Sequence, residues 1–382
     1  MPSIVHENAI AHPATHALLI GVGCYPHLIG GNGPLYAEHG GMQQLSSPPL
    51  SAVAFAEWLI SSFDHPAKPL GSVALLASGT GSVDFTHPIT GVSVSPEAPT
   101  FANLVAAVKE WKARGDSCPD NLMLFYFCGH GIANGPDLAL ILQDFGEDPD
   151  MALESALDFR RFHIGMERCR ARHQCFFVDA CRTGDSNIIH AAGYAGRPIF
   201  TPTTRRDRTL PLRQKPVFYS TFAGERAQSR IGQVSLFTDA LLRAFKGGGA
   251  DDTTGDWWVD TSQLQKTVQF MMERAHEQGF PSAQINPVDD MSTFPLHHLA
   301  VDPAVPVVIG CRPVDFNQHA TLSWSGSGIT QQRLPENTDW DTDLQLGDYT
   351  FSAQFPPGQP VLPPEHRNVR PPYRRILLEV PQ

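Results

Sequence analysis

The chain has 382 residues, of which 42% are apolar and 18% are charged. This composition is typical of a folded globular protein and excludes a disordered or fibrous chain. The net charge of −11 argues against a nucleic-acid binder and against a polybasic membrane-surface protein. No apolar run reaches the roughly 18 residues that span a bilayer, and the first basic residue, Lys68, comes too late for a secretory signal. We therefore predict a cytoplasmic protein.

The 7 cysteines are odd in number and scattered along the chain. In a reducing compartment such cysteines are mostly free thiols, and one of them is a candidate reactive residue. The sequence contains neither a CxxC pair nor an HExxH motif, which are common frames for bound zinc. We therefore predict no built-in metal site.

Apolar runs alternate with amphipathic segments between residues 16 and 300. Strands are predicted at 16–24, 72–77, 121–128, 137–143, 174–180 and 215–222, and helices at 49–63, 100–114, 159–172, 235–245 and 261–278. This alternation predicts an α/β sandwich around a mostly parallel sheet. Residues 1–15 are predicted to form a flexible arm. Residues 24–49 are predicted to form a long loop, and long loops of this kind are usually functional.

The composition changes near residue 300. Residues 301–382 contain 12 of the 33 prolines, and their apolar residues alternate in short runs. This pattern predicts a small β-rich accessory domain after a catalytic domain at 16–300. A chain truncated near Ala300 is expected to keep a folded core, because the α/β elements are complete before that point.

Two of the predicted strands end in residues that are suited to nucleophilic catalysis. His130 lies between two glycines in the segment 127–131, and Cys181 follows the apolar strand 174–180. A cysteine nucleophile needs a nearby base, and histidine serves as one near neutral pH. If the two strands are neighbours, His130 and Cys181 face each other across a cleft. The backbone N–H groups of Gly131 and Cys181 are then placed to hold an oxyanion.

At these residues the sequence resembles the caspase and metacaspase superfamily of cysteine proteases. His130 and Cys181 lie 51 positions apart, close to the distance of about 50 residues found in caspases. The segment 179–184 resembles the metacaspase form Asp-x-Cys-x-Ser-Gly more than the form of animal caspases. Segments 17–25, 222–227 and 235–240 resemble further parts of the family in the same order. The resemblance covers about residues 15–300 and implies a caspase-like three-layer fold.

The resemblance also implies a substrate preference. Asp179 precedes the cysteine by two residues and corresponds to the acid that lines a pocket for Arg or Lys in metacaspases. Cys128 stands where the family usually has Ser and is a candidate second wall. Ser51 stands where metacaspases carry a further Asp, so the pocket is predicted to be less acidic or to be completed by another residue. The alternative is that Asp179 is a structural carboxylate that caps nearby backbone.

A segment rich in arginine follows the cysteine, at the place where caspases separate their two subunits. Residues 184–214 are interpreted as an intersubunit linker, and a plain solvated loop is the alternative. The candidate sites of self-cleavage are Arg205, Arg206, Arg208 and Arg213.

Calcium binding is left open, because some metacaspases bind this ion through scattered aspartates. The candidate ligands do not form an EF-hand, and an acidic solvated loop is the alternative; they are Asp144, Glu147, Asp148, Asp150, Asp158 and Asp185.

The predicted function is a caspase-like cysteine endopeptidase that cleaves proteins or peptides after Arg or Lys, with no required cofactor. A role in a regulated proteolytic, defence or cell-death cascade, with a regulatory protein partner, is left open. The alternative is an inactive caspase-like scaffold that recruits partners through residues 301–382.

Overall fold

The structure, a computed structural model, describes residues 3–10, 13–180, 195–200, 213–220, 232–277, 293–358 and 361–381. The chain divides into two compact units. The first comprises residues 1–239 and 272–294, and the second comprises residues 240–271 and 295–382.

A six-stranded sheet forms the centre of the first unit. Its strands are β1 (Ile4–Glu7), β2 (Thr15–Val22), β3 (Leu70–Ser78), β6 (Leu122–Gly129), β10 (His173–Ala180) and β11 (Val217–Tyr219). Their order in the sheet is β1-β3-β2-β6-β10-β11, and all neighbours are parallel except β1 and β3. Every residue of β2, β3 and β6 is buried, as expected for parallel strands that are covered on both faces.

Helices cover both faces of this sheet. They are α1 (Ser47–Ser62), α2 (Phe101–Ser117) and α3 (Phe159–Gly165). Because side chains alternate along a strand, Tyr126 faces α1, where its ring lies 5.3 Å from that of Phe55. Its neighbour Phe125 faces the other side, where its ring lies 6.2 Å from Trp111 of α2. The predicted α/β sandwich of three layers around a mostly parallel sheet is therefore confirmed.

Shorter elements complete the first unit. An antiparallel hairpin pairs β4 (Phe85–Thr86) with β5 (Ser93–Val94), and a three-stranded antiparallel sheet contains β7 (Gly131–Asn134), β8 (Asp137–Ile141) and β9 (Ala156–Asp158). Strand β7 begins one residue after His130, so this small sheet continues directly from the end of β6.

Two sequence predictions need correction in this unit. The segment 1–15 is not simply a flexible arm, because β1 pairs with β3 and the Leu75 amide donates a hydrogen bond to the Ser3 carbonyl at 2.8 Å. The helix predicted at 159–172 ends at Gly165 and is followed by a single 3-10 turn, Met166–Arg168. Glycine is a poor residue in a helix interior, which favours this end.

The second unit contains three small sheets. One joins β12 (Ala250–Asp251), β13 (Trp258–Asp260) and β14 (Pro295–His298). The other two bury a shared apolar cluster; they consist of β15 (Val305–Arg312), β18 (Trp340–Leu344) and β21 (Arg374–Glu379), and of β16 (Thr321–Gly326), β17 (Ile329–Arg333), β19 (Gly347–Gln354) and β20 (Glu365–Val369). The C-terminal region is therefore β-rich, as predicted.

Two helices run from one unit into the other along the chain: α4 (Leu236–Arg243) and α5 (Thr261–Glu277). The second unit consequently begins about sixty residues earlier than the predicted boundary near residue 300, and it includes part of what was predicted as the catalytic domain. Among the helices in the part of the chain that the structure describes, none is long and apolar enough to cross a membrane.

Candidate active site

The register of β6 and β10 brings the two predicted strand ends together. The strands are parallel neighbours, with Asp179 opposite Cys128 and Ala180 opposite Gly129. His130 directly follows Gly129 in the chain, and Cys181 directly follows Ala180. The two strands are therefore neighbours, which is the condition that the predicted pairing of His130 and Cys181 requires. Cys181 itself lies outside the described residues.

The His130 imidazole is buried and held in one orientation. Its Nε2 atom lies 2.6 Å from the carbonyl oxygen of Gln43. Because a carbonyl oxygen only accepts hydrogen bonds, Nε2 carries the proton and donates it. In the neutral ring this leaves Nδ1 as the unprotonated nitrogen, which is the state that a general base requires. The ring also packs against Tyr25, with centroids 4.8 Å apart.

The surroundings of His130 favour the neutral imidazole. Burial lowers its pKa to about 4, and the hydrogen bond to the Gln43 carbonyl opposes this shift only in part. The backbone amide and carbonyl of His130 are fixed by hydrogen bonds as well. The His130 amide donates to the Tyr25 hydroxyl at 2.9 Å, and the His130 carbonyl accepts from the Ile141 amide at 3.0 Å.

The Asp179 carboxylate lies in a buried cluster of hydroxyl and thiol donors. It accepts hydrogen bonds from the Ser235 hydroxyl, from Cys128 Sγ at 3.4 Å and from Thr238 Oγ1 at 3.5 Å. Burial raises the pKa of Asp179, and these hydrogen bonds oppose that shift. Burial, together with the nearby Asp179 charge, also raises the pKa of Cys128 well above its ordinary value, so this thiol stays protonated and acts as a donor.

Ser51 joins the same cluster from helix α1. Its Oγ atom accepts the Ser235 amide at 3.0 Å. The three residues that the sequence predicted for the specificity pocket, Asp179, Cys128 and Ser51, therefore lie together. Sequence reasoning missed Ser235 as the residue that links them, although the segment 235–240 was singled out as similar to the family.

The loop at 24–49 contributes one backbone group and one side-chain group to the site. It supplies the Gln43 carbonyl and the Tyr25 hydroxyl that bind His130. The length of this loop was the only sequence signal for its role. A backbone carbonyl is present at every residue, so the sequence alone could not identify Gln43.

Three of the calcium candidates accept backbone amides, and one of them is Asp148, which accepts the Asp150 amide at 3.0 Å. Both Asp144 carboxylate oxygens accept the Phe101 amide at the start of α2, and Asp158 accepts the Arg161 amide at the start of α3. Asp185 lies outside the described residues. Elsewhere in the described ranges, no three His, Cys, Asp or Glu side chains are grouped so that they could hold a metal ion.

The arginine-rich segment is only partly described. Arg205, Arg206 and Arg208 lie outside the described residues. Arg213 is attached to the segment that leads into β10, because its Nε atom donates to the Cys169 carbonyl at 2.6 Å and the following Gln214 amide donates to the Arg172 carbonyl at 2.8 Å. Within the predicted linker, Arg197 is also attached, since its backbone forms hydrogen bonds with residues of β9.

The chain is similar to proteins of known sequence and to a solved structure. An uncharacterized protein from Sinorhizobium fredii is 27% identical over 303 residues, which cover 74% of this chain and 86% of that protein. A probable protease from a Desulfuromonadales bacterium is 28% identical over 211 residues, which are 52% of this chain and 23% of that protein. Among solved structures, caspase-1 from Spodoptera frugiperda matches 78% of this chain and 95% of its own, at 11% identity and a TM-score of 0.40.

The family model of the caspase domain matches residues 15–294. The matched range begins at the first residue of β2 and contains both His130 and Cys181. It covers about three quarters of the chain, and the chain therefore belongs to the caspase domain family of cysteine peptidases.

Proposed function

We propose that the protein is an endopeptidase with a catalytic dyad of Cys181 and His130. The observation that carries this proposal is the register of β6 and β10, which sets Gly129 beside Ala180 at the carboxyl edge of the sheet. The residue after each of these is one member of the dyad. In parallel α/β sheets this edge is where ligands bind and chemistry takes place.

The proposed reaction has two halves. His130 Nδ1 accepts the thiol proton of Cys181, and the sulfur attacks the carbonyl carbon of the peptide bond. The amide groups of Gly131 and Cys181 stabilise the oxyanion. The C–N bond breaks as the imidazolium returns its proton to the leaving amine, which leaves a thioester. A water molecule, deprotonated by His130, then hydrolyses the thioester and restores the thiol.

The proposed specificity is for Arg or Lys before the cleaved bond. Asp179 lies opposite Cys128 on the neighbouring strand and two residues before the nucleophile, and its recorded hydrogen-bond donors are neutral hydroxyl and thiol groups. A buried carboxylate whose donors among the described residues are all neutral favours a positively charged ligand and disfavours an acidic one. A role in a regulated proteolytic, defence or cell-death cascade stays part of the proposal.

A thiol-reactive peptide that ends in arginine tests the proposal. It should attach to Cys181 at a low molar excess, and a matched peptide that ends in aspartate should react far more slowly. Cys24 and Cys118 are partly exposed and serve as internal controls that should remain unmodified. Mass spectrometry of the digested protein locates the label. Labelling spread evenly over the exposed thiols would favour the alternative of an inactive scaffold.

The substitution Asp179→Asn should remove the preference for basic residues. The variant keeps the shape of the side chain and one oxygen that accepts hydrogen bonds, but its nitrogen is a donor and it has no charge. We expect the ratio of kcat/KM for a substrate with Arg to kcat/KM for one with Gln to fall by about 100-fold. This is the size of the loss in binding when one partner of a buried charge pair is removed. The labelling of Cys181 by a small neutral reagent should be unchanged.

The matched control for this change is Asp137→Asn, because Asp137 is an exposed carboxylate that is paired with Arg160. Acidification offers a second check on the wild-type protein. Burial raises the pKa of Asp179, so its charge, and with it the preference for Arg, should be lost at a higher pH than for an exposed aspartate. An unchanged preference for Arg in Asp179→Asn would assign the specificity to other residues.

Self-cleavage is proposed within residues 201–212, at Arg205, Arg206 or Arg208. Arg213 is the least suitable candidate, because a protease binds its substrate in an extended, accessible form and the backbone after Arg213 is hydrogen-bonded to the sheet. We expect Arg213→Gln to leave the cut unchanged and the triple substitution of the other three arginines by Gln to prevent it. Intact-mass measurement should show an N-terminal fragment that carries both His130 and Cys181. If the purified Cys181→Ala variant is still cut, the cleavage is made by another protease.

A further inference from the structure

Tyr25 contacts His130 in two ways. Its hydroxyl accepts the His130 amide at 2.9 Å, and its ring lies 4.8 Å from the imidazole. Tyr25 is fully buried, so these contacts are shielded from water. The approach of the hydroxyl requires glycine at position 129, because a Cβ atom there would lie 2.8 Å from the Tyr25 oxygen.

Gln44 holds the segment that carries the Gln43 carbonyl. Its Oε1 atom accepts the Tyr25 amide at 2.8 Å, and its Nε2 atom donates to the carbonyls of Tyr25 at 2.8 Å and of Ile29 at 3.2 Å. Gln43 itself forms a parallel bridge with Ile29. One side-chain amide thus ties three backbone groups together, and the adjacent peptide carbonyl is held 2.6 Å from His130 Nε2.

We propose that Tyr25 and Gln44 are positioning residues that keep His130 in the orientation and tautomer of a general base. This inference rests on the proposed peptidase function. Gln44 acts through the Gln43 carbonyl, which keeps the proton on Nε2 and leaves Nδ1 free. Tyr25 acts through the His130 amide and through the face of the ring. Both residues lie on the loop at 24–49, which surrounds the histidine without belonging to either catalytic strand.

The magnitude of such an effect is set by geometry. A displacement of about 1 Å at a catalytic group can cost about 100-fold in rate. The rate falls much further when the histidine carries its proton on the wrong nitrogen, because the imidazole then cannot accept the proton of the nucleophile. The positions of Tyr25 and Gln44 therefore affect kcat, and they affect substrate binding only indirectly.

The test compares Gln44→Met and Tyr25→Phe with the control Tyr36→Phe. Methionine has a similar length but neither the amide donor nor the acceptor, and phenylalanine removes only the hydroxyl. Tyr36 is on the same loop, and its hydroxyl donates to the side chain of Glu38. We expect kcat to fall by about 10- to 100-fold in the two test variants, with KM changed by less than about threefold, and wild-type kinetics in the control.

The pH profile separates positioning from general loss of structure. The Gln43 hydrogen bond raises the pKa of His130 against the lowering by burial. Loosening this bond in Gln44→Met should therefore move the acid limb of the kcat/KM profile to lower pH. If Gln44→Met does not fold, Gln44→Glu serves instead, because it keeps the acceptor for the Tyr25 amide and loses the two donated bonds.

A spectroscopic readout makes the inference independent of turnover. Nitrogen-15 shifts of the His130 ring should show the proton on Nε2 in the wild-type protein and a mixed tautomer in Gln44→Met. Unchanged ring shifts together with unchanged kcat in both variants would overturn the positioning role, even with Cys181→Ala inactive. If Cys181→Ala is still active, the proposed function is wrong. The nitrogen-15 shifts of the His130 ring would then decide alone whether Gln44 fixes the tautomer.

Discussion

Replacing Cys181 with alanine is expected to abolish peptide hydrolysis, and replacing His130 with alanine should reduce it almost as far. The two residues form one catalytic unit, so the loss of either removes the chemistry that depends on both. Losses of about three to six orders of magnitude in kcat are typical of such units, and the double variant should be no worse than Cys181→Ala. Hydrolysis of an internally quenched peptide with a central arginine provides the measurement.

Matched controls distinguish this loss from a loss of structure. Cys118→Ala removes another partly exposed thiol, at the end of α2, and His39→Ala removes a partly exposed histidine from the loop at 24–49. Both should retain wild-type activity. Thermal unfolding should confirm that Cys181→Ala is folded. Turnover at the wild-type rate in that variant would exclude a cysteine-based mechanism at this position.

The central sheet was predictable from the sequence for a simple physical reason. Parallel strands that are covered on both faces must be apolar throughout, and β2, β6 and β10 therefore stand out as continuous apolar runs. The predicted start of the second helix is close to the observed one, because Thr100 caps α2 and its side chain accepts the Asn103 amide. The edge strand β1 was not predictable, since four residues with a polar end give no clear periodicity.

The candidate site was predictable only in part. His130 and Cys181 are marked by residue type, by adjacent glycine or apolar strand, and by their spacing in the chain. The residues that hold His130 have no such sequence signal. Gln43 contributes a backbone carbonyl, and the Gln44 side-chain amide donates a hydrogen bond to the Tyr25 carbonyl. Ser235 reaches Asp179 from 56 positions away, and a separation of this kind is set by the fold rather than by a local pattern.

The predicted domain boundary depended on a change in composition, which marks where the β-rich segment begins but not what packs with it. Residues 240–271 belong to the same compact unit as residues 295–382. The Phe270 ring stacks on Tyr373 with centroids 3.6 Å apart, and Arg243 forms hydrogen bonds with Asp343, the shortest at 2.6 Å. The earlier expectation that a chain truncated near Ala300 keeps a folded core is therefore replaced by the opposite one.

A chain that ends at Ala300 is expected to be insoluble or to lack fixed tertiary packing. The truncation removes Tyr373 from its contact with Phe270. It also removes the backbone around Pro303 and Ala304, which lies so close to Gly247 that a Cβ atom at position 247 would be 2.5 Å from the Ala304 nitrogen. The exposed apolar surface at 240–271 would favour aggregation.

Near-ultraviolet circular dichroism and binding of a hydrophobic dye compare the truncated chain with the full one. The full-length variant Tyr373→Ala is the matched control for one of the lost contacts, and it should unfold cooperatively with a loss of only about 1 kcal/mol, the scale of an aromatic pair. A soluble truncated chain with the near-ultraviolet spectrum of a packed core and cooperative unfolding would show that residues 240–271 hold their structure without the strands that follow. In the expected case, the β-rich segment is part of the unit that folds with α5 and not an appendage, because the aromatic stack and the arginine–aspartate contact both join it to residues 240–271.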